Sequence, residues 1–87
     1  MHLSLKLHGP FHKLSDRTHY QVKLPTNTPT LEQLLDALKK DLQNSHPNLV
    51  KLLPACRFAQ HQTIITNPEQ TLDAHAEVVV LPPVSGG

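Results

Sequence analysis

The sequence predicts one two-layer α+β domain, with a single main helix packed across one face of a mixed β-sheet. Three observations indicate this class: apolar and polar residues alternate near the start, leucines recur at helical spacing in the middle, and a β-branched run lies near the end. The 87 residues suit one domain with a modest core.

The first elements are two strands, which we expect to pair antiparallel. Residues 3–7 alternate leucine with polar residues until Gly9-Pro10 ends the pattern. Residues 18–24 alternate again and stop at Pro25, with residues 15–16 in the intervening loop. The predicted buried side chains are Leu3, Leu5, Leu7, Tyr20, Val22 and Leu24.

The clearest helix is predicted over residues 31–42, and segment 44–47 ends it. Its apolar stripe consists of Leu31, Leu34, Leu35, Leu38 and Leu42. Thr30 with Gln33 fits a capping box, and Thr28 followed by Pro29 at the first helical position fits equally well.

The second half of the chain predicts shorter elements. Residues 48–54 suit either a short helix or an apolar connector. Residues 55–59 and 62–66 predict two strands around a turn near Gln60-His61, and 67–69 a second turn. Residues 77–81 are typical of a central strand that is covered on both faces.

Composition excludes several classes of function. A net charge of +1 and only three aromatic residues favour neither a nucleic-acid partner nor an anionic membrane. No signal peptide or membrane span is visible, so we expect a cytoplasmic protein. Cys56 is alone, which indicates a reducing compartment, and we expect it in a half-buried strand as a small packed thiol.

The body of the chain offers no convincing catalytic group. Its seven histidines lack the spacing of metal ligands, so we expect surface histidines and no metal. Glycine is too scarce for a strained nucleophile turn or a phosphate-cradling loop. We therefore expect a protein that is not catalytic alone.

The reactive group is expected at the end of the chain. Two of the three glycines are Gly86 and Gly87, and Pro82-Pro83 hold the preceding segment extended. The α-carboxylate of Gly87 has no β-carbon beside it and can enter a narrow channel. We thus divide the chain into a domain, 1–81, and a flexible, extended tail, 82–87.

The ending Pro82-Pro83-Val84-Ser85-Gly86-Gly87 resembles that of the molybdopterin synthase small subunits, which are ubiquitin-like β-grasp sulfur carriers. The predicted order of elements is that of the β-grasp fold, and residues 29–34 and 62–83 also fit the family. The chain departs from it in the first strand, at His61 in the middle hairpin, and at residues 73–76, where the family has an acidic-glycine turn.

The resemblance implies a chemistry for the tail. A ubiquitin-activating-enzyme-like adenylyltransferase would use ATP and Mg²⁺ to adenylate Gly87, next to Gly86, and a sulfur donor protein would supply a persulfide to make the thiocarboxylate. The large synthase subunit, in an expected heterotetramer, would receive the tail. Sulfur would pass to cyclic pyranopterin monophosphate in molybdenum cofactor biosynthesis. The implied partner-binding residues are Val80, Leu81, Pro82, Pro83, Val84 and Ser85, with Val80 more buried than Leu81.

Two alternatives remain open at this point. The same activated Gly87 would let a ubiquitin-like modifier form an isopeptide bond with a lysine of a target protein. A sulfur carrier for thiamine, cysteine or another pathway would use the same thiocarboxylate.

Overall fold

The described part of the chain folds into one mixed sheet and two helices. The structure is a computed structural model that describes residues 2–8 and 19–82. The strands in this part are β1 His2–Lys6, β2 His19–Lys23, β3 Arg57–Gln60, β4 Thr63–Ile65 and β5 Val78–Leu81. The helices are α1 Leu31–Leu42 and α2 Pro47–Leu52, and a 3-10 turn, Leu53–Ala55, follows α2.

The strands lie in the order β2-β1-β5-β3-β4. β1 pairs parallel with β5, and the other neighbouring pairs are antiparallel. The last described strand is therefore the middle strand of the sheet. This confirms the predicted mixed sheet and the central place of the valine run.

The first two strands bury one face, as the alternation predicts. Leu3 and Leu5 of β1 are fully buried opposite the buried Val22 and the half-buried Tyr20 of β2. Leu7 is also buried, although β1 itself ends at Lys6. The predicted loop at 15–16 and the predicted strand residue 18 lie outside the described residues.

Helix α1 supplies the second layer of the core. Leu31, Leu34, Leu38 and Leu42 are buried, and Leu35 packs against them at the margin. Thr30 is the N-cap: its Oγ1 accepts from the Gln33 N–H at 3.3 Å, and its own N–H donates to Gln33 Oε1 at 2.9 Å. Of the two predicted helix starts, the capping box at Thr30 is therefore confirmed. This reciprocal pair satisfies two amide groups that the helix leaves unpaired.

The region after α1 differs from the prediction in detail. The ambiguous segment is helical, and β3 begins at Arg57 instead of residue 55. Cys56 follows the 3-10 turn, and the Cys56 N–H donates to the Leu53 carbonyl. Cys56 is half-buried as predicted, but it lies before β3 and not in a strand. The hairpin turn is one residue later than predicted, at His61-Gln62.

The prediction that the final strand is covered on both faces is wrong. Val78 and Val80 are buried, whereas Val79 and Leu81 are half-buried. The helices of the described chain cover one face of the sheet. The valine run alone does not show that no described helix covers the other face. None of these helices has the length and apolar character needed to cross a bilayer.

Candidate functional site

The described chain leaves the domain from the centre of the sheet. β5 pairs with β1 through Leu5↔Val78 and Lys6↔Val79. On its other side it pairs with β3 through Phe58↔Val80 and Arg57↔Leu81. The β3 edge of β5 is therefore paired up to Leu81 and the β1 edge up to Val79, and the following Pro82 has no N–H to extend either ladder. The strand gives the tail a defined point of departure.

The predicted site residues fall into three groups. Val80 is 1% exposed and faces the core, whereas Leu81 and Pro82 are half-buried at the surface. This confirms that Val80 is more buried than Leu81, and it places Val80 behind the site instead of on its surface. Pro83, Val84, Ser85, Gly86 and Gly87 lie outside the described residues, so their roles stay predictions.

A surface apolar group lies beside the exit on the sheet face that points away from α1, which we call the outer face. Alternation along β5 places Val79 and Leu81 together on this face. Ala59 of β3 pairs with Val79, and its other neighbour, Ile64 of β4, is 46% exposed. The sequence-based reasoning missed Val79 and Ile64, although the period-two pattern counted back from Leu81 would have found Val79.

Two cations flank this apolar group. Lys6 is the register partner of Val79, and Arg57 is the register partner of Leu81, so both lie on the outer face. In residues 2–8 and 19–82 neither side chain forms an ion pair or a side-chain hydrogen bond. A carboxylate near them, Glu77, pairs with His19. Within the described ranges the outer face thus has an apolar centre with a cation on each side that no described carboxylate pairs with.

A polar network holds the loop that leads into β5. Gln60 is 7% exposed, and its amide nitrogen donates to the carbonyls of Asp73 at 2.9 Å and Ala76 at 3.1 Å. Its amide oxygen accepts from the Asp73 N–H at 2.9 Å. Three hydrogen bonds from one side chain therefore attach residues 73–76 to the end of β3, next to the start of β5.

The carboxylate of Asp73 completes this network. It accepts from the His75 N–H and pairs with the His61 ring, both at 2.9 Å. These contacts lower the pKa of Asp73 below the ordinary value, the backbone hydrogen bond being the larger cause. The family's acidic-glycine turn is replaced here by a loop that side chains hold in place.

Cys56 lacks the surroundings of a nucleophile. Its thiol donates to the Leu52 carbonyl at 3.2 Å, and partial burial raises its pKa to about 11. The Cys56 thiol is therefore protonated at neutral pH, whereas a reactive cysteine is a thiolate under these conditions.

The remaining described surface carries no alternative centre of chemistry. Among the described ranges no three side chains of the histidine, cysteine or carboxylate type gather into a metal-binding group. A groove of about 560 Å³ between β2 and α1 is lined by two lysines, two aspartates, one glutamine and three apolar residues, without a bias of charge. This groove lies on the helix side of the sheet and is separate from the outer face.

Comparison with known proteins shows a family match and similar solved structures, two of which are described below. The sequence profile of the ThiS family matches residues 11–87. SAMP1 from Haloferax volcanii is similar over the whole of both chains, with a TM-score of 0.69 and 20% identity, which shows a shared fold. A chain from the complex of subunits 1 and 2 of molybdopterin-converting factor from Helicobacter pylori 26695 is also similar over both whole chains, with a TM-score of 0.58 and 25% identity.

Comparison with curated protein sequences finds no significant match. The family match and the shared fold confirm the ubiquitin-like β-grasp architecture that the resemblance implied.

Proposed function

The chain belongs to the ThiS family and has the fold of a ubiquitin-like sulfur carrier, and from this premise we propose that it is the sulfur-donating small subunit of a molybdopterin synthase. The observation that carries the proposal is the path of the chain: the strand at the centre of the sheet is followed directly by Pro82-Pro83-Val84-Ser85-Gly86-Gly87. A domain that holds this segment firmly at one end can present the Gly87 carboxylate to another protein's active site.

The proposed chemistry uses partner enzymes. The Gly87 carboxylate attacks the α-phosphate of ATP on an adenylyltransferase, with Mg²⁺, and pyrophosphate leaves. The terminal sulfur of a donor protein's persulfide then attacks the carbonyl carbon, and AMP leaves. A second thiol reduces the resulting acyl disulfide and releases the thiocarboxylate. This chain contributes the carboxylate and a surface for docking, and it needs no catalytic side chain of its own.

The identity of the molecule that accepts the sulfur is a second part of the proposal. The Helicobacter pylori chain is similar over its full length and comes from a complex of two molybdopterin-converting factor subunits, which supports a large-subunit partner and transfer of sulfur to cyclic pyranopterin monophosphate. Membership of the ThiS family equally supports a carrier for another sulfur acceptor, and this is our second candidate.

Intact-mass spectrometry tests the carrier function. The chain is co-expressed with the adenylyltransferase and sulfur donor of the source organism. We expect the mass of the chain that ends at Gly87 to increase by the difference between sulfur and oxygen. The Gly87-deleted chain is the control and should stay unchanged. An unchanged mass in the intact chain would contradict the proposal.

A second measurement separates the acceptors. The thiocarboxylated chain, mixed with the large synthase subunit and cyclic pyranopterin monophosphate, should return to the carboxylate form as molybdopterin appears. Thiocarboxylate that persists in this mixture favours another acceptor. Higher-mass conjugates in cells that vanish on deletion of Gly87 favour the ubiquitin-like modifier.

A further inference from the structure

We infer that a pocket next to the start of β5 binds a divalent transition-metal ion through the imidazoles of His2 and His75. The inference goes beyond the carrier function and does not depend on it. It gives a role to two of the seven histidines of the chain, which the chemistry of the tail does not use.

The fold brings these two histidines together from opposite ends of the chain. β1 and β5 run parallel, and Leu5 is the register partner of Val78. Counting back three residues from each of these partners reaches His2 and His75, so both histidines lie toward the same end of the sheet. Both line one pocket of about 430 Å³, which Asn27 also lines. Two imidazoles and a side-chain amide therefore share one pocket.

Hydrogen bonds hold the backbone that carries His75. The His75 N–H donates to Asp73 Oδ1 at 2.9 Å, and the Ala76 N–H donates to the Asp73 carbonyl at 3.3 Å, which closes a turn around His75. The Gln60 side chain bonds to the backbone of Asp73 and of Ala76. Because this turn is fixed before an ion binds, little conformational entropy is lost when the imidazole becomes a ligand.

The charges around the pocket favour a cation. The Asp73 carboxylate accepts from the His75 N–H and so places a negative charge beside this ligand. Lys23 is the register partner of His2, but it lines the groove between β2 and α1 and not this pocket. Within residues 2–8 and 19–82, the side chains of His2, Asn27 and His75 form no hydrogen bond or ion pair. No described residue therefore competes with an ion for their donor atoms.

The set of donor atoms indicates the class of ion. Imidazole nitrogen suits Zn²⁺, Ni²⁺ and Cu²⁺, whereas Ca²⁺ and Mg²⁺ take oxygen ligands. Two imidazoles and the amide oxygen of Asn27 provide the protein donors, and water completes the coordination. Structural zinc sites use four protein ligands, so we expect reversible binding at this smaller set. The bound ion joins the first residue of β1 to the segment before β5, and it stabilises the folded chain by mass action.

Titration of the full-length, untagged chain with zinc sulfate tests the site. In NMR spectra that detect the imidazole nitrogens, the ring signals of His2 and His75 should shift over the same range of zinc concentration. In calorimetric titration, His2→Gln and His75→Gln should each raise the zinc Kd at least about tenfold, because each variant lacks a ligand. The matched control is His46→Gln, outside the pocket, and its Kd should stay within about twofold of wild type.

Ring signals that shift at clearly different zinc concentrations overturn the inference, because the two histidines then bind ions independently. A loss of affinity in only one of the two pocket variants, or an equal loss in His46→Gln, has the same meaning. The NMR comparison uses wild type alone, so it decides the question even where a substitution impairs folding.

Thiocarboxylation provides a separate readout. The pocket lies before β5 and the tail follows it, so His75→Gln should acquire sulfur as wild type does. If wild type binds zinc through both rings but acquires no sulfur, the metal site stands and the proposed function fails. If wild type acquires sulfur and its rings do not respond to zinc, the metal site fails and the proposed function stands.

Discussion

Gln60 shows how one buried side chain can determine where a strand begins. Its amide satisfies the N–H and C=O of Asp73 and the C=O of Ala76, and no buried side-chain nitrogen or oxygen of the described residues is left without a partner. The position of β5, and with it the departure of the tail, depends on these contacts. Polar residues that hold backbone in this way are rarely replaceable by apolar ones.

Replacing Gln60 should therefore destabilise the domain. Gln60→Leu has a similar volume but leaves the Asp73 N–H and the Ala76 carbonyl without a partner, and we expect the free energy of unfolding to fall by about 2–3 kcal/mol. Urea denaturation measures this. Gln70→Leu, at an exposed position, is the matched control and should stay within about 0.5 kcal/mol of wild type. Equal effects of both substitutions would contradict the role of Gln60.

Asp73 predicts a dependence of stability on pH. Because its pKa is lower in the folded chain than the ordinary value of 3.8, its ionised form favours folding. This contribution is present above the ordinary pKa and is lost as the pH falls through the lower folded-state pKa. Asp73→Asn should be less stable than wild type near neutral pH, and the difference should shrink at about pH 2.

Denaturant unfolding of wild type and of Asp73→Asn, near neutral pH and at about pH 2, gives the difference in their free energies of unfolding at each pH. Asp36→Asn, on the exposed side of α1, provides the baseline for removing a carboxylate. A stability difference between wild type and Asp73→Asn that does not change with pH would show that the charge of Asp73 is not what holds the loop.

At the scale of elements, the β3–β4 hairpin carries local strain. Its two-residue turn places His61 at φ 53° and Gln62 at φ 64°, and most hairpins use glycine or asparagine there. The His61 ring gains a contact with Asp73, whereas the Gln62 side chain forms no hydrogen bond or ion pair among the described residues. The strain at Gln62 is therefore uncompensated by its own side chain.

Gln62→Gly should relieve this strain. A left-handed conformation costs a residue with a β-carbon about 1 kcal/mol relative to glycine, so we expect stabilisation of up to about that amount. Thermal unfolding followed by circular dichroism measures it. Gln62→Val, which adds a branched β-carbon, should have the opposite effect; a destabilised glycine variant would contradict the assigned strain.

Substitutions on the two faces of β5 should have different effects, one on stability and the other on docking. Val80→Ala removes buried methyl groups and should cost about 2 kcal/mol of stability, with little effect on binding to the adenylating enzyme. Leu81→Ala, on the outer face, should weaken that binding and cost less stability. Calorimetric unfolding measures the stability of each variant, and calorimetric titration with the adenylating enzyme measures its binding. Weaker binding by Val80→Ala and a larger loss of stability in Leu81→Ala would contradict the assignment of faces.

At the scale of the whole molecule, the domain and the tail should be thermodynamically independent. The described core consists of residues before Pro82, so deleting Gly86 and Gly87 should leave the melting temperature unchanged while abolishing thiocarboxylation. Parallel calorimetry and intact-mass spectrometry test both halves of this prediction. A lower melting temperature would show that the tail packs on the domain.

The sequence predicted the features that depend on local periodicity. The leucine stripe of α1, the alternation of β1 and β2, and the buried valines of β5 all repeat within one element, so each could be read from its own segment. The capping choice needed the structure, because Thr28 and Thr30 both suit an N-cap.

Apart from Val79, the features missed depend on the order of strands in space. The contact of Gln60 with Asp73 joins residues 13 apart in the chain. Lys6 and Arg57 come together only because β5 lies between β1 and β3. The chemistry expected of Gly87 came from resemblance to a family, and it stays a prediction for the experiments above.

The central position of β5 has a consequence for how the protein is made. Without this strand the described sheet consists of two separate hairpins, β2-β1 and β3-β4, which share no ladder. A ribosome that has synthesised everything up to Ala76 still holds a chain whose sheet cannot close. Folding must then wait until residues 78–81 emerge from the exit tunnel, so a chain stalled or cleaved earlier gives the cell an open sheet that proteases can remove.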